Sequence, residues 1–166
     1  MSVAAGDDAA FSELYAATFA RIAAITTVIM QDRASGVEIA QDAFVQLYVH
    51  WKKVGHYDAP EAWVRRVAIR LAMREAHRDS RRRQLSIAAW RPEDDDVSLP
   101  DVDVLRAVAS LPAIHRAVVA LFYFEDLSVA EIARVLDKSE GSVKVALHRA
   151  RRSLAAMLGE EDYPHG

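Results

Sequence analysis

The sequence predicts an all-α protein of two small helical domains joined by a flexible acidic linker. Apolar residues recur at the spacing of amphipathic helices over most of the 166 residues, and no segment alternates as a strand of consequence would. This periodicity stops over residues 79–100, where a basic run gives way to an acidic one and prolines stand at 92 and 100. We therefore place the domains at residues 1–80 and 103–160, with the linker over residues 81–102.

The first domain is predicted to contain three amphipathic helices. Residues 8–30 fit one helix, which breaks at the segment QDRASG. A second helix is expected over residues 37–53 with Ser35 and Gly36 as start signals, and a third over residues 60–78, because proline is accepted in a first helical turn. Short connections between such helices indicate a compact bundle.

The second domain is predicted to contain four helices. The first begins at Asp101 or Asp103, and the Leu-Pro pair at 111–112 restarts the chain as a second helix that runs to about Phe124. Two further helices follow, separated by the short turn DKSEGS. Two helices joined by a tight turn are the arrangement of a helix-turn-helix.

Local signals define both helices of this helix-turn-helix. Ser128 and Glu131 form a capping box at the start of the first, and Ser139 or a neighbour would cap the second. At about 100° per residue, an apolar stripe marks the buried side of the second helix: Val143, Leu147, Ala150 and Leu154. The opposite and flanking positions carry mainly basic and hydrogen-bonding side chains: Ser142, Lys144, Val145, His148, Arg149, Arg151 and Arg152. Such a face fits the major groove of DNA.

The net charge of −3 conceals two basic blocks. Basic residues exceed acidic ones by six over residues 61–91 and by four over residues 138–158, while the remaining segments are acidic. A polyanion contacted at two separate places would explain this distribution, because phosphate neutralisation needs local positive charge. Solvated helix faces are the alternative at this point.

Composition and motifs argue against an enzyme, a metal site and a membrane segment. The chain has no cysteine, no histidine pair at the four-residue spacing of a helical metal site, no glycine-rich phosphate loop and no nucleophile elbow. We therefore expect no cofactor, no bound metal and no enzymatic activity. The start MSVAAGDD lacks signal-peptide features, and no apolar stretch is expected to approach the roughly eighteen residues of a membrane span. Absence of cysteine suits a reducing compartment, so the sequence predicts a cytoplasmic protein.

The second domain resembles a promoter-reading domain. The stretch LPAIHRAVVALFYFEDLSVAEIARVLDKSEGSVKVALHRARRSL is similar to the C-terminal domain, region 4, of the extracytoplasmic-function (ECF) sigma factors of bacterial RNA polymerase, in the sigma-70 family. Few other helix-turn-helix families share the phrase SEG.VK. The resemblance implies that the following residues contact a −35 promoter element: Ser139, Ser142, Lys144, Val145, His148, Arg149 and Arg152.

The first domain resembles region 2 of the same family. The segment EIAQDAFVQLYVHW is similar to the helix that docks on the clamp helices of the polymerase's largest subunit. Six of its residues can share a core face: Ile39, Ala40, Ala43, Phe44, Leu47 and Trp51. The docking residues would lie on the other side: Gln41, Asp42, Val45, Tyr48 and Val49. An exposed patch of this mixed chemistry is typical of an interface, unless another helix covers it.

The segment AWVRRVAIRLAMREAHR resembles the helix that meets the −10 promoter element. Its arginines form a ladder suited to a phosphate backbone: Arg65, Arg66, Arg70, Arg74 and Arg78. Three more arginines follow the ladder: Arg81, Arg82 and Arg83. His56 and Tyr57 stand where the family's specificity loop would hold a flipped base; packing of Tyr57 on Trp63 is the alternative. Arg70 and Arg74 replace the asparagine and aspartate of the family's common ARN.A.D pattern, so the −10 sequence preference is not carried over.

The resemblance also implies partners. These are core RNA polymerase, through its clamp helices and flap, promoter DNA, and an anti-sigma factor. The acidic linker, with Asp94, Asp95 and Asp96, is either a solvated tether or a mimic of nucleic-acid phosphate in the polymerase's RNA path. Asp137 stands where a glycine often closes the turn, and aspartate tolerates the left-handed conformation. Two other functions stay open: a helix-turn-helix regulator that acts without core polymerase, and a degenerate sigma-like interaction protein.

Overall fold

A computed structural model describes residues 2–83 and 102–159. These residues are helical apart from short turns and caps and include no strand, which confirms the predicted all-α class. The chain divides into two compact units, Met1–Glu75 and Ala76–Gly166. The proposed linker aspartates Asp94, Asp95 and Asp96 lie outside the described residues, and so do the side chains of the arginines at 81–83.

The first unit is built on the pairing of two long helices, α1 (Ser2–Met30) and α2 (Arg33–Val49). A single turn, α3 (Trp51–Val54), and α4 (Pro60–Arg83) follow, and the part of α4 up to Glu75 belongs to this unit. The helix expected over residues 37–53 is therefore two elements, because the backbone of His50 leaves the helical conformation between them. Its six predicted core residues are all buried. All of them except Ile39 belong to one core cluster with residues of α1 and α4, including Ile22, Val64 and Ala68.

The predicted start of α2 was wrong. Asp32 is the N-cap: its backbone is extended, and its carboxylate accepts a hydrogen bond from the Ser35 backbone N–H at 3.1 Å. Gly36 lies inside the helix and is buried where α2 meets α1. The buried Thr26 hydroxyl of α1 donates to the Gly36 carbonyl at 2.7 Å, so the two helices are hydrogen bonded at this close approach.

The apolar character of α1 corrects another expectation. Its stretch Ala5–Met30 is long and apolar enough to cross a membrane by length and composition, whereas the sequence was expected to contain no such stretch. The helix supplies buried residues such as Ile22, Ile25 and Ile29 to the first unit. A core helix of a soluble protein meets the same test, so this single helix is weak evidence for a membrane span.

The second unit contains α5 (Val102–Ala109), α6 (Ala113–Val119), α7 (Val129–Leu136) and α8 (Glu140–Leu158). The helix expected to reach Phe124 is regular only to Val119 and continues as a π-helical turn, Ala120–Phe124. In that turn the Glu125 N–H bonds to the Ala120 carbonyl at 3.3 Å, five residues back. A hydrogen bond that spans one more residue than in an α-helix changes the directions in which the aromatic side chains of this segment project.

Both ends of α7 have the predicted chemistry. In the Ser128–Glu131 capping box, the Ser128 N–H donates to the Glu131 carboxylate at 2.8 Å and the Glu131 N–H to the Ser128 hydroxyl at 3.1 Å. Asp137 ends α7 in the left-handed conformation, with φ 54° and ψ 48°. The Lys138 N–H then bonds back to the Ala133 carbonyl at 2.9 Å, which closes the turn as a C-terminal helix cap.

Candidate nucleic-acid interface

Helix α8 has one buried face and one exposed cationic face, as predicted. The buried side chains are Val143, Ala146, Leu147, Ala150 and Leu154. The predicted −35 residues all lie on the exposed surface: Ser139, Ser142, Lys144, Val145, His148, Arg149 and Arg152. Val145 is an apolar side chain left about half exposed, at 49%. The face thus combines positive charge, hydrogen-bonding groups and an apolar group, which are the three means of contacting a base edge and its phosphates.

The two serines at the start of α8 are bonded to each other. The Ser139 hydroxyl accepts a hydrogen bond from the Ser142 N–H at 3.1 Å and caps the helix. It also donates to the Ser142 hydroxyl at 2.9 Å. Ser139 therefore fixes the first turn of α8, while the Ser142 hydroxyl keeps its own proton for an outside acceptor.

A cleft of about 510 Å³ lies behind the first half of α8. Ile114, His115 and Val118 of α6 form one wall, and Val145 and Arg149 of α8 reach the other. Burial, and secondarily the positive charge of Arg149, lowers the pKa of His115. The buried Nδ1 of His115 has no hydrogen-bond partner. No spacing rule links His115 to Arg149, so this neighbour of the cationic face was not found from the sequence.

Arg151 differs from the other cations of the exposed face. Its Nε donates to the Tyr123 hydroxyl at 2.7 Å. Its guanidinium carbon lies 5.2 Å from the ring centroid of Phe122 and 5.7 Å from that of Tyr123. Both aromatic residues belong to the π-helical turn, so Arg151 connects α8 to that turn.

The predicted docking residues of α2 form an exposed face with a large apolar part. Gln41 and Asp42 are exposed. Val45, Tyr48 and Val49 are 61%, 59% and 71% exposed, and no described helix covers them. The Tyr48 ring also meets the Phe11 ring of α1 edge-on, with centroids 5.3 Å apart. An exposed cluster of this kind favours a protein interface over a solvated helix face.

The loop before α4 and the helix itself present the remaining predicted residues. His56 and Tyr57 are exposed, and the Trp63 ring pairs with His50 at 5.6 Å between centroids. Trp63 is half-buried against the core.

The arginines of α4 do not all share one face. Arg66, Arg70, Arg74 and Arg78 recur every fourth residue and are exposed, whereas Arg65 is half-buried. These four positions form the ladder, because residues four apart are neighbours on the surface of a helix. Arg65 projects from a neighbouring side.

Comparison with known proteins identifies the family. The family description "Sigma-70, region 4" matches residues 101–154, which contain all of α7 and α8 as far as Leu154. ECF RNA polymerase sigma factor SigL of Mycobacterium tuberculosis is 30% identical over 138 residues, covering 78% of this chain and 77% of SigL. The chain belongs to the ECF RNA polymerase sigma factors. ECF RNA polymerase sigma factor SigW of Bacillus subtilis is 25% identical over 170 residues, covering 92% and 91% of the two chains.

The fold of this sigma factor is also that of a solved one. The sigma factor RpoE of Bartonella quintana, in a co-crystal structure with the anti-sigma factor NepR, matches 92% of this chain and 98% of its own with a TM-score of 0.74. Its sequence identity is 18%, so the likeness concerns the fold. The family assignment confirms the predicted helix-turn-helix as region 4, a DNA-binding element of transcription initiation. Sigma factors are not enzymes; they direct a reaction that core polymerase performs.

Proposed function

We propose that this ECF sigma factor directs core RNA polymerase to promoters that carry −35 and −10 elements. The observation that carries the proposal is the exposed face of α8, where cationic side chains, hydrogen-bonding groups and Val145 are presented together. A helix with this face, preceded by a capped helix and a closed turn, has the form that enters a major groove. A cytoplasmic location follows from the proposed function, because core polymerase and the chromosome are there.

In the −35 part of the proposal, each type of side chain on the exposed face of α8 makes a different kind of contact with DNA. The Arg149 and Arg152 guanidinium groups can bond to guanine O6 and N7 or bridge phosphates, and Lys144 can contact a phosphate as a point charge. Val145 suits a thymine methyl group, and Ser139, Ser142 and His148 offer hydrogen bonds to bases or phosphates. The contacts with bases would determine which DNA sequence is recognised, and the contacts with phosphates would fix the position of α8 along the duplex.

The −10 part rests on α4 and the loop before it. The residues proposed to contact the −10 strand are His56, Tyr57, Arg65, Arg66, Arg70 and Arg74. The exposed ladder on α4 suits the phosphate backbone, and Tyr57, at 44% exposure, offers a ring face to a flipped base. Because Arg70 and Arg74 are cations, this helix is expected to bind backbone more strongly than one with asparagine and aspartate there.

Docking on core polymerase is assigned to the exposed face of α2, on Gln41, Asp42, Val45, Tyr48 and Val49. We expect Val45→Asp to abolish co-purification with core, since it places a charge in an apolar contact. Ala20→Asp, on the exposed surface of α1, is the matched control and should leave co-purification unchanged. If Val45→Asp bound core polymerase as tightly as the wild type does, this face would be rejected as the docking site. An anti-sigma factor as a further partner stays a prediction from the family resemblance.

The function is tested by run-off transcription with core polymerase on a fragmented genomic library, with and without this protein. Start sites that appear only with the protein and share spaced −35 and −10 motifs would support the proposal and supply the promoter. Silence despite core binding would favour a degenerate sigma that titrates polymerase. Silence without core binding, together with tight binding of duplex DNA by the free protein, would favour a stand-alone regulator.

Promoters found in this way test the α8 face directly. Replacing both Arg149 and Arg152 by alanine should weaken promoter binding by the reconstituted holoenzyme. If both arginines contact phosphates, the slope of log K against log salt should become shallower by about 2, at about 0.9 for each contact. Arg106→Ala removes one charge from the exposed surface of α5 and should leave affinity and slope near wild type. Unchanged binding by the double variant would reject the face.

A further inference from the structure

The Arg151 side chain is used inside the second unit although its position in the sequence suggests a DNA contact. It follows Arg149 by two residues and precedes Arg152 by one, within the basic block. Its Nε nevertheless donates to the Tyr123 hydroxyl at 2.7 Å, and its guanidinium lies over the Phe122 ring at 5.2 Å. A planar guanidinium can make both contacts at once, since it stacks through its face and donates from its edge.

We propose that Arg151 is a positioning residue, which holds the recognition helix α8 on the π-helical turn and does not contact promoter DNA. The proposal rests on the proposed −35 role of α8. The three side chains Arg151, Tyr123 and Phe122, termed here the arginine clamp, form one linked cluster, because the two rings also meet edge-on with centroids 5.0 Å apart. The clamp joins the middle of α8 to the segment that leads into α7.

The π-helical turn explains why the clamp forms at this place. The Leu127 N–H bonds back to the Leu121 carbonyl at 3.0 Å, and Leu121 is fully buried, so the turn is fixed by its inner side. Its outer side leaves Tyr123 at 48% exposure, with its hydroxyl within reach of Arg151. An α-helical continuation would rotate these rings away from their present directions.

The clamp acts on DNA binding by restricting where α8 can lie. The helix is anchored at its first turn by the Ser139 cap and along its buried face by the core, and the clamp adds a lateral contact on the exposed side. Without it, a smaller fraction of the protein would hold Arg149 and Arg152 in the arrangement that fits a −35 element. Apparent affinity falls in proportion to that fraction.

The test compares conservative variants on a promoter identified by run-off transcription, with holoenzyme reconstituted from core and the full chain. Tyr123→Phe removes only the hydroxyl, and Arg151→Lys keeps the charge but cannot stack and donate as a guanidinium does. We expect each variant to weaken promoter binding by about fivefold, the scale of one surface hydrogen bond or cation–π contact, with an unchanged salt slope. The promoter affinity of the double variant should equal that of the single variant that binds less tightly, because both changes break the same cluster.

Control variants separate this proposal from the proposed function. Arg106→Lys makes the same change on the exposed surface of α5, outside the residues proposed to contact DNA, and should bind like the wild type. The clamp would be overturned, with the −35 role of α8 unaffected, if Arg151→Lys and Tyr123→Phe both bound promoter like the wild type while Arg149→Ala bound weakly. Both the −35 role of α8 and the positioning role of Arg151 would be overturned if Arg149→Ala and Arg152→Ala both bound promoter like the wild type. A shallower salt slope for Arg151→Gln, with Tyr123→Phe at wild-type affinity, would make Arg151 a phosphate contact instead.

Discussion

Replacing Gly36 by alanine should destabilise the first unit, although alanine is the better helix former. In an open helix interior this change stabilises by about 0.5–1 kcal/mol. Here the new Cβ would lie 2.6 Å from the backbone Cα and N of Thr27, so α1 and α2 must move apart. Overpacking of this kind costs about 1–3 kcal/mol, and separation also stretches the Thr26 to Gly36 hydrogen bond, worth about 1 kcal/mol. The net expectation is a loss of about 1–3 kcal/mol.

Urea denaturation followed by tryptophan fluorescence measures this loss, because Trp51 and Trp63 both belong to the first unit. Gly6→Ala is the matched control in the same unit, since nothing lies within 4 Å of a Cβ at Gly6 in α1. That variant should be as stable as the wild type or more stable by up to about 1 kcal/mol. The reasoning would be refuted if Gly36→Ala raised the stability as Gly6→Ala does.

Three further predictions concern the second unit, and urea denaturation followed by circular dichroism checks each. Ser128→Ala removes the capping-box acceptor and should lower the free energy of unfolding by about 1 kcal/mol; no loss would mean that the cap contributes nothing. Asp137→Gly relieves the left-handed conformation at φ 54° and should stabilise by about 1 kcal/mol, and a destabilised variant would contradict this. Burial and Arg149 lower the pKa of His115 below 6.5, so its contribution to stability is present above that pH and is lost on acidification. His115→Gln should therefore lose less stability than the wild type between about pH 7.5 and about pH 5.5, and equal losses would argue against this role.

The parts of the fold that could be predicted are those governed by residues close in sequence. The Ser128–Glu131 box and the buried stripe of α8 depend only on spacings of three or four residues, and both are present as expected. The start of α2 was misplaced because aspartate, serine and glycine within QDRASG are all plausible caps, and the structure shows that the Asp32 carboxylate accepts the capping hydrogen bond. Gly36 is needed for the close approach to Thr27, which no local rule shows.

For the exposed faces too, features set by residues close in sequence were predicted, and contacts between residues distant in sequence were not. The apolar exposure of Val45, Tyr48 and Val49 was predicted because helical spacing separates them from the core positions of α2. Among the predicted arginines of α4, Arg65 differs from the other four because it is half-buried, which spacing along the sequence did not indicate. Contacts over long sequence distances were missed, such as Arg151 with Tyr123, because the π-helical turn that creates them has no reliable sequence signal.

An acidic chain can bind DNA through such faces because charge acts locally in salt solution. At physiological ionic strength the screening length is about 8 Å, so the field that a phosphate meets is set by charges within a few residues of the contact. On α8, Lys144, Arg149 and Arg152 lie on one exposed face, and the only acidic residue of the helix is Glu140 in its first turn. A carboxylate at a helix N-terminus favours the helix itself through the helix dipole. A negative charge added within the exposed face, as in Val145→Glu, should therefore weaken promoter binding far more than a change of net charge from −3 to −4 would suggest.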